Sequence, residues 1–210
     1  MTPRFAPHEV DILMRAIRER RSMGVARLRP DPVPPALIRT ALEAADWAPS
    51  HGETEPWRFT VYTGEGRRAL GEAFAEAYRR AATETGDFRE ATFAAQRERV
   101  WAAPVWISLG LEPALRADGS PKMGLEEEAL ALSGAVLNLH LVANAQGLAG
   151  MWLSQGVMVD RHVAAFVGLD APYARLMGFF VLGWPNIPWP SGERRPLDEK
   201  VRWVEDAPAP

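Results

Sequence analysis

The sequence contains no cysteine. Disulfides, thiolate nucleophiles and cysteine-based metal sites are therefore excluded. Histidine is scarce, four in 210 residues, and no two are spaced as a metal pair on a helix, so no metal is expected. An excess of one charge is also missing. The formal net charge is −3, which gives no overall pull toward nucleic acid or an anionic membrane, although Arg18, Arg20 and Arg21 make a local basic spot. The N-terminal stretch MTPRFAPHEVDILMRAIRERR lacks the unbroken apolar core of a secretion signal, so a cytoplasmic location is expected. One uncharged run, Ala129 to Val159, has the length of a membrane span. Asn138, His140, Asn144 and Gln146 interrupt it, and Gly147 and Gly150 break it. Buried polar groups are costly in lipid, so a helix followed by a buried strand is the better reading.

What remains is an ordinary globular composition, 47% hydrophobic and 24% charged, in a chain long enough for one full core. Residues 1–210 are read as a single domain. Val10, Leu13, Met14 and Ile17 recur at helical spacing, which predicts a helix over 8–22 that ends by Gly24. Pro34 and Pro35 suit the start of a second helix, whose apolar face is Leu37, Ile38, Ala41, Leu42 and Ala45. A strand over 57–63 follows, then helices over about 66–83 and 87–101. Next come a strand over 104–111, a long apolar helix over 126–146 and a strand within GLAGMWLSQ. A short helix over 160–168 and a strand in ARLMGFFVLGW complete the order. The Pro-rich tail PNIPWPSGERRPLDEKVRW reads as an extended arm ending in a short edge strand. Two helices lead and regular β-α alternation is absent, so the fold class is α+β rather than doubly wound. The long helix is too apolar to face water, which with the arm points to a homodimer with exchanged tails.

Five stretches carry candidate chemistry. RERRS, 18 to 22, is a solvated helix end on the bland reading and a phosphate site on the sharp one, with arginine forks and the Ser22 hydroxyl as donors. GEGRRA, 64 to 69, follows a strand and opens a helix, as a dinucleotide fingerprint must. Glu65 in its loop and the lack of a second βαβ unit favour a plain tight turn. Ser50, His51 and Ser154 do not make a hydrolase, because Trp152 stands where a nucleophile elbow needs glycine. His140, on an apolar helix, reads as a satisfied core or interface residue. GLAGMWLSQG lets the backbone approach a flat ligand closely, or is only a tight connection. GERRPLDEKVRW is a basic tail, or a second arginine source for the phosphate held by Arg20.

Together, IRERRSMGVARL, APSHGETEPWRFTVYTGEG, AQGLAGMWLSQG, FFVLGWP and RRPLDE resemble the nitroreductase family of FMN-dependent oxidoreductases, most of all its small YdjA-type branch. The resemblance runs over nearly the whole chain. It implies a nitroreductase-like mixed sheet flanked by helices, an obligate homodimer and two FMN sites at its interface, with NADH or NADPH as electron donor. It implies that Arg20, Arg21, Ser22 and Arg194 hold the FMN phosphate and ribityl chain. Trp47, Ser50 and His51 lie near the flavin ring of the partner subunit, and Trp152, Leu153, Ser154 and Gly156 line the flavin. No protein acid or base is strictly needed, since the cofactor does the redox chemistry, and His51 is the one weak catalytic candidate. The expected activity is ping-pong reduction of a nitroaromatic, a quinone or a similar small acceptor. Two departures stand out: Glu53 and Glu55 replace the Asn and Gln usual before Pro-Trp, and Gly192 replaces a lysine. Three other functions stay open: oxygen-dependent flavin fragmentation, a flavin-binding protein without turnover, and a nicotinamide-binding protein without flavin.

Overall fold

The computed structural model describes residues 4–204. Helix α1 spans Pro7–Glu19, α2 Pro35–Asp46, α3 Gly66–Thr85, α4 Glu90–Glu98, α5 Leu125–Ala145 and α6 Arg161–Phe166. Strand β1 spans Trp57–Thr63, β2 Val105–Leu111, β3 Ala149–Leu153 and β4 Arg175–Gly183. The strands form one sheet in the order β1-β2-β4-β3, and every pairing within it is antiparallel. Among the described residues the parallel component is confined to a single bridge, Ser22 to Gly150.

Period-2 alternation sorts the central strands onto two cores. Val105, Ile107, Leu109 and Leu111 of β2, with Phe180 and Leu182 of β4, face one side, where α2 and α5 pack. Trp106, Phe179 and Val181 face the other, against Leu70 and Phe74 of α3 and Val163 of α6. Because helices cover both faces, β2 is buried at every residue and its sequence reads as an apolar run broken only by Ser108. This accounts for the α+β class that the element order implies.

Three expectations change. Helix α1 stops at Glu19, and Arg20 takes an extended backbone, φ −54° and ψ 129°, so RERRS straddles a helix end and the segment that bridges β3. The predicted apolar face of α1 is not covered: Val10, Leu13, Met14 and Ile17 are all exposed, and α1 buries no residue. The tail forms no strand up to Val204; after a short turn at Leu197–Glu199 it runs on without regular structure. Among the described residues no helix is long and apolar enough to cross a membrane, and no cluster of His, Asp and Glu suits a metal ion.

Candidate functional site

The turn after α1 is fastened from α5. His140 and Asn144 lie four residues apart, on one face of that helix. Asn144 accepts the Arg21 N–H at 2.8 Å through Oδ1 and donates to Leu148 O at 2.9 Å. His140 Nε2 donates to Arg21 O at 3.0 Å, and its Nδ1 accepts from Arg20 Nη1 at 3.3 Å. The partners fix the tautomer, with the proton on Nε2. Met23 N donates to Gly150 O at 2.9 Å and completes the join to β3. The sequence marks His140 as a satisfied core or interface residue and does not mark Asn144 as a site residue. Their spacing is legible; their target, a backbone turn more than a hundred residues away, is not.

Arg20 is thus held by a neutral acceptor rather than by a carboxylate. Its pKa is lowered by burial first, then by the charges of Arg194 and Arg21. Burial pushes the His140 pKa down to about 4, the Arg20 charge adds to this, and the bond to Arg21 O opposes it. Among the described residues neither Arg20 nor Arg194 forms a salt bridge. Two cations that repel one another without a carboxylate between them suit a dianion. Ser22 is exposed beside them, its Oγ 3.5 Å from Arg20 Nη1.

The C-terminal arm reaches this place by running back along residues 21–32. Arg29 N donates to Trp184 O at 2.8 Å, Asn186 N to Arg27 O at 3.0 Å, and Arg21 Nε to Pro190 O at 2.9 Å. Arg194, which the sequence separates widely from Arg20, comes near enough for its charge to act on it. Arg21 makes two more bonds, through Nη1, to Arg18 O and Arg20 O at 2.6 and 2.7 Å. Its guanidinium is therefore largely occupied by backbone.

Past the Ser22 bridge, β3 is the edge of the sheet, and Trp152 and Leu153 stand half-buried along it. Trp152 is oriented by a 2.8 Å bond from Nε1 to Met177 O. Ser154 and Gly156 follow on an exposed turn, with Gly156 at φ +58°.

The loop before β1 lies at the other end of α5. Ser50 Oγ accepts the Glu55 N–H at 3.1 Å. His51 Nδ1 donates to Glu127 Oε1 at 2.5 Å, Lys122 Nζ donates to Gly52 O at 2.6 Å, and Thr54 Oγ1 donates to Glu128 Oε2 at 2.7 Å. Glu128 is buried, and its Oε1 has no partner among the described residues. Gly52, Glu53 and Glu55 have φ of +65°, +53° and +42°. Trp47, at the end of α2, is 88% exposed. Ser50, His51 and Trp47 thus form a group apart from the arginine cradle, and none of them makes a direct hydrogen bond to Arg20, Ser22 or Arg194.

GEGRRA is a turn and helix start. Arg68 Nη2 bonds Glu65 Oε2 at 2.7 Å, while Arg67 donates to Gly64 O and Ala103 O and lies 4.6 Å over the Trp101 ring. Moreover, β1 and β2 on either side of α3 are antiparallel, so the βαβ crossover of a dinucleotide fold does not exist here.

The site and fold have relatives. Residues 17–184 match the Nitroreductase family model, and the chain belongs to the nitroreductase family. YfhC of Bacillus subtilis, whose name gives it as an unproven NAD(P)H nitroreductase, is 26% identical over 92% of this chain and 94% of its own. The 5,6-dimethylbenzimidazole synthase of Rhodospirillum rubrum is 28% identical over 99% of this chain and 96% of its own. A Desulfovibrio desulfuricans protein of nitroreductase type, solved in complex with FMN, superposes with a TM-score of 0.65 at 25% identity, covering 94% of this chain and 98% of that one.

Proposed function

We propose that this chain is an FMN-dependent oxidoreductase of the cytoplasm that draws electrons from NADH or NADPH. It passes them by a ping-pong scheme to a nitroaromatic, a quinone or a similar small acceptor. The observation that carries this reading is the Arg20–Ser22 turn, bridged to Gly150 at the β3 edge, with Arg20 in no salt bridge among the described residues and within reach of the Arg194 charge. FMN, when bound, supplies the redox chemistry. The protein's part is to bind, orient and exclude water. Arg20 and Arg194 neutralise the phosphate, Arg21 belongs to the same cradle, and Ser22 offers its hydroxyl. Trp152, Leu153, Ser154 and Gly156 form the wall on which a flat ring system rests.

The second group, Trp47, Ser50 and His51, serves the neighbouring site in a homodimer. The uncovered stripe of α1 supports this, as do Leu130 and Leu137, exposed two turns apart on α5. So does the open edge of β1. A groove of about 590 Å³ runs beside it, lined by Ile38, Leu42, Phe59 and Val61, while Trp203 and Val204 of the tail are exposed. The tail of one copy lying on the β1 edge of the other would cover both and supply the edge strand that the tail lacks by itself.

The decisive experiment is the visible spectrum of the purified protein before and after anaerobic NADH and NADPH. Flavin bands that bleach are expected. Bands that persist would indicate a flavin-binding protein without turnover, and a colourless protein that FMN cannot reconstitute would overturn the reading. The likeness to the dimethylbenzimidazole synthase, which spans nearly the whole chain, favours a second reading, oxygen-dependent flavin fragmentation. Mixing the reduced protein with oxygen separates the two: intact FMN supports the reductase, and loss of FMN to a benzimidazole product supports the alternative.

A further inference from the structure

We propose that Arg21 is a latch: its guanidinium fastens the C-terminal arm to the end of α1, Gly192 is the gap that admits it, and the fastening sets Arg194 beside Arg20. Three backbone carbonyls receive the guanidinium, Pro190 O from the arm and Arg18 O and Arg20 O from the other side. A rigid fork of donors suits that task, and a lysine ammonium would not span it. The gap is seen at Gly192. A Cβ there would stand far inside van der Waals contact with Arg21, 2.4 Å from Cζ and from Nη2 and 2.6 Å from Nε. Gly192 is not one of the glycines with positive φ, so what a side chain would meet there is the Arg21 guanidinium and not a strained backbone angle. A lysine at this position would displace Arg21.

Arg194 is two residues further along, within roughly 7 Å of chain. Among the described residues its side chain makes only a local bond, to Glu193 O at 2.8 Å, which does not hold the arm. Among the described residues no salt bridge ties Arg194 to the rest of the chain, so its place follows from the arm, which the latch fixes at Pro190 and Gly192. The consequence for binding rests on the reading of this cradle as an FMN phosphate site. Arg21 is then a positioning residue that acts through Arg194.

The test measures FMN affinity by fluorescence quenching for Arg21→Ala, Arg194→Ala and the double variant. It also follows, in FMN-free protein, amide exchange at Asn186, where the arm's N–H is bonded to Arg27 O. Arg21→Ala is expected to weaken FMN roughly 10- to 100-fold, the size of one charge-assisted contact, with no further loss once Arg194→Ala is present. Exchange in the arm rises. Gly192→Ala is expected to produce both effects with Arg21 intact, and it replaces Arg21→Ala should that variant not fold. Additive losses with the arm still protected would make Arg21 a direct phosphate ligand and overturn the proposal. A lowered melting temperature with unchanged FMN affinity would also overturn it. If the wild-type protein binds no FMN, the functional reading fails by itself. The latch is then judged by exchange: faster exchange in both variants supports it, and unchanged exchange ends it.

Discussion

At the scale of single residues, a histidine that stays neutral is what keeps Arg20 in place. His140 has a pKa of about 4 in the folded protein against 6.5 for the free side chain. Between those values the unfolded chain binds a proton that the folded chain refuses. The stability from this residue is therefore complete above pH 6.5 and is lost as pH falls toward 4. The difference is on the order of 3 kcal/mol. The urea midpoint of the wild type should drop over that range more steeply than that of His140→Gln; parallel curves would show that His140 is not the proton-linked group. Arg20 carries the binding prediction. Arg20→Ala should weaken FMN by about 1.5–3 kcal/mol, read by equilibrium titration. Unchanged affinity would make Arg20 only a charge near the end of α1.

At the scale of elements, two connections carry strain or closeness that a substitution can expose. Glu53 and Glu55 sit at left-handed angles where asparagine is more at home, which gives a physical meaning to the departures noted before Pro-Trp. Glu53→Asn should raise stability by up to about 1 kcal/mol through relief of that angle, measured as a shift in thermal midpoint. No gain would mean that the loop's bonds from Lys122, Glu127 and Glu128 already determine its shape. At Gly150, where the Arg20–Ser22 turn meets β3, an added Cβ would lie 2.3 Å from Val181 O and 2.5 Å from Phe180 Cε1. Neither can yield without moving β4. Gly150→Ala should destabilise the protein by about 1–3 kcal/mol in denaturant unfolding.

At the scale of the whole molecule, a single copy leaves too much apolar surface uncovered. The stripe of α1, Leu130 and Leu137 of α5, and Trp47 together are the faces a second copy would bury. Sedimentation should show a dimer. Leu137→Asp, which is 51% exposed and would not disturb the folded core, should shift the mass toward monomer and lower FMN retention with it. A monomeric variant that keeps FMN would separate the cofactor site from the interface.

The elements themselves were legible in the chain by itself. Apolar spacing located the helices and strands, because burial on one face of a helix or both faces of a central strand leaves a period in the residues. The arginine-serine turn and the glycine-bounded third strand were legible as motifs. What the pattern does not carry is distance between segments. Val10, Leu13, Met14 and Ile17 announce an apolar face without saying that a single copy leaves it exposed. Arg20 and Arg194 announce charge without saying that an arm folds back through Trp184, Asn186 and Pro190 to bring them together. GEGRRA has the right letters for a phosphate loop, and only the antiparallel pairing of β1 with β2 excludes it. Local periodicity is written by each segment's own contact with water or core, so the sequence determined it alone. The cradle depends on two backbone paths and the missing side chain of Gly192, and only the tertiary structure could decide it.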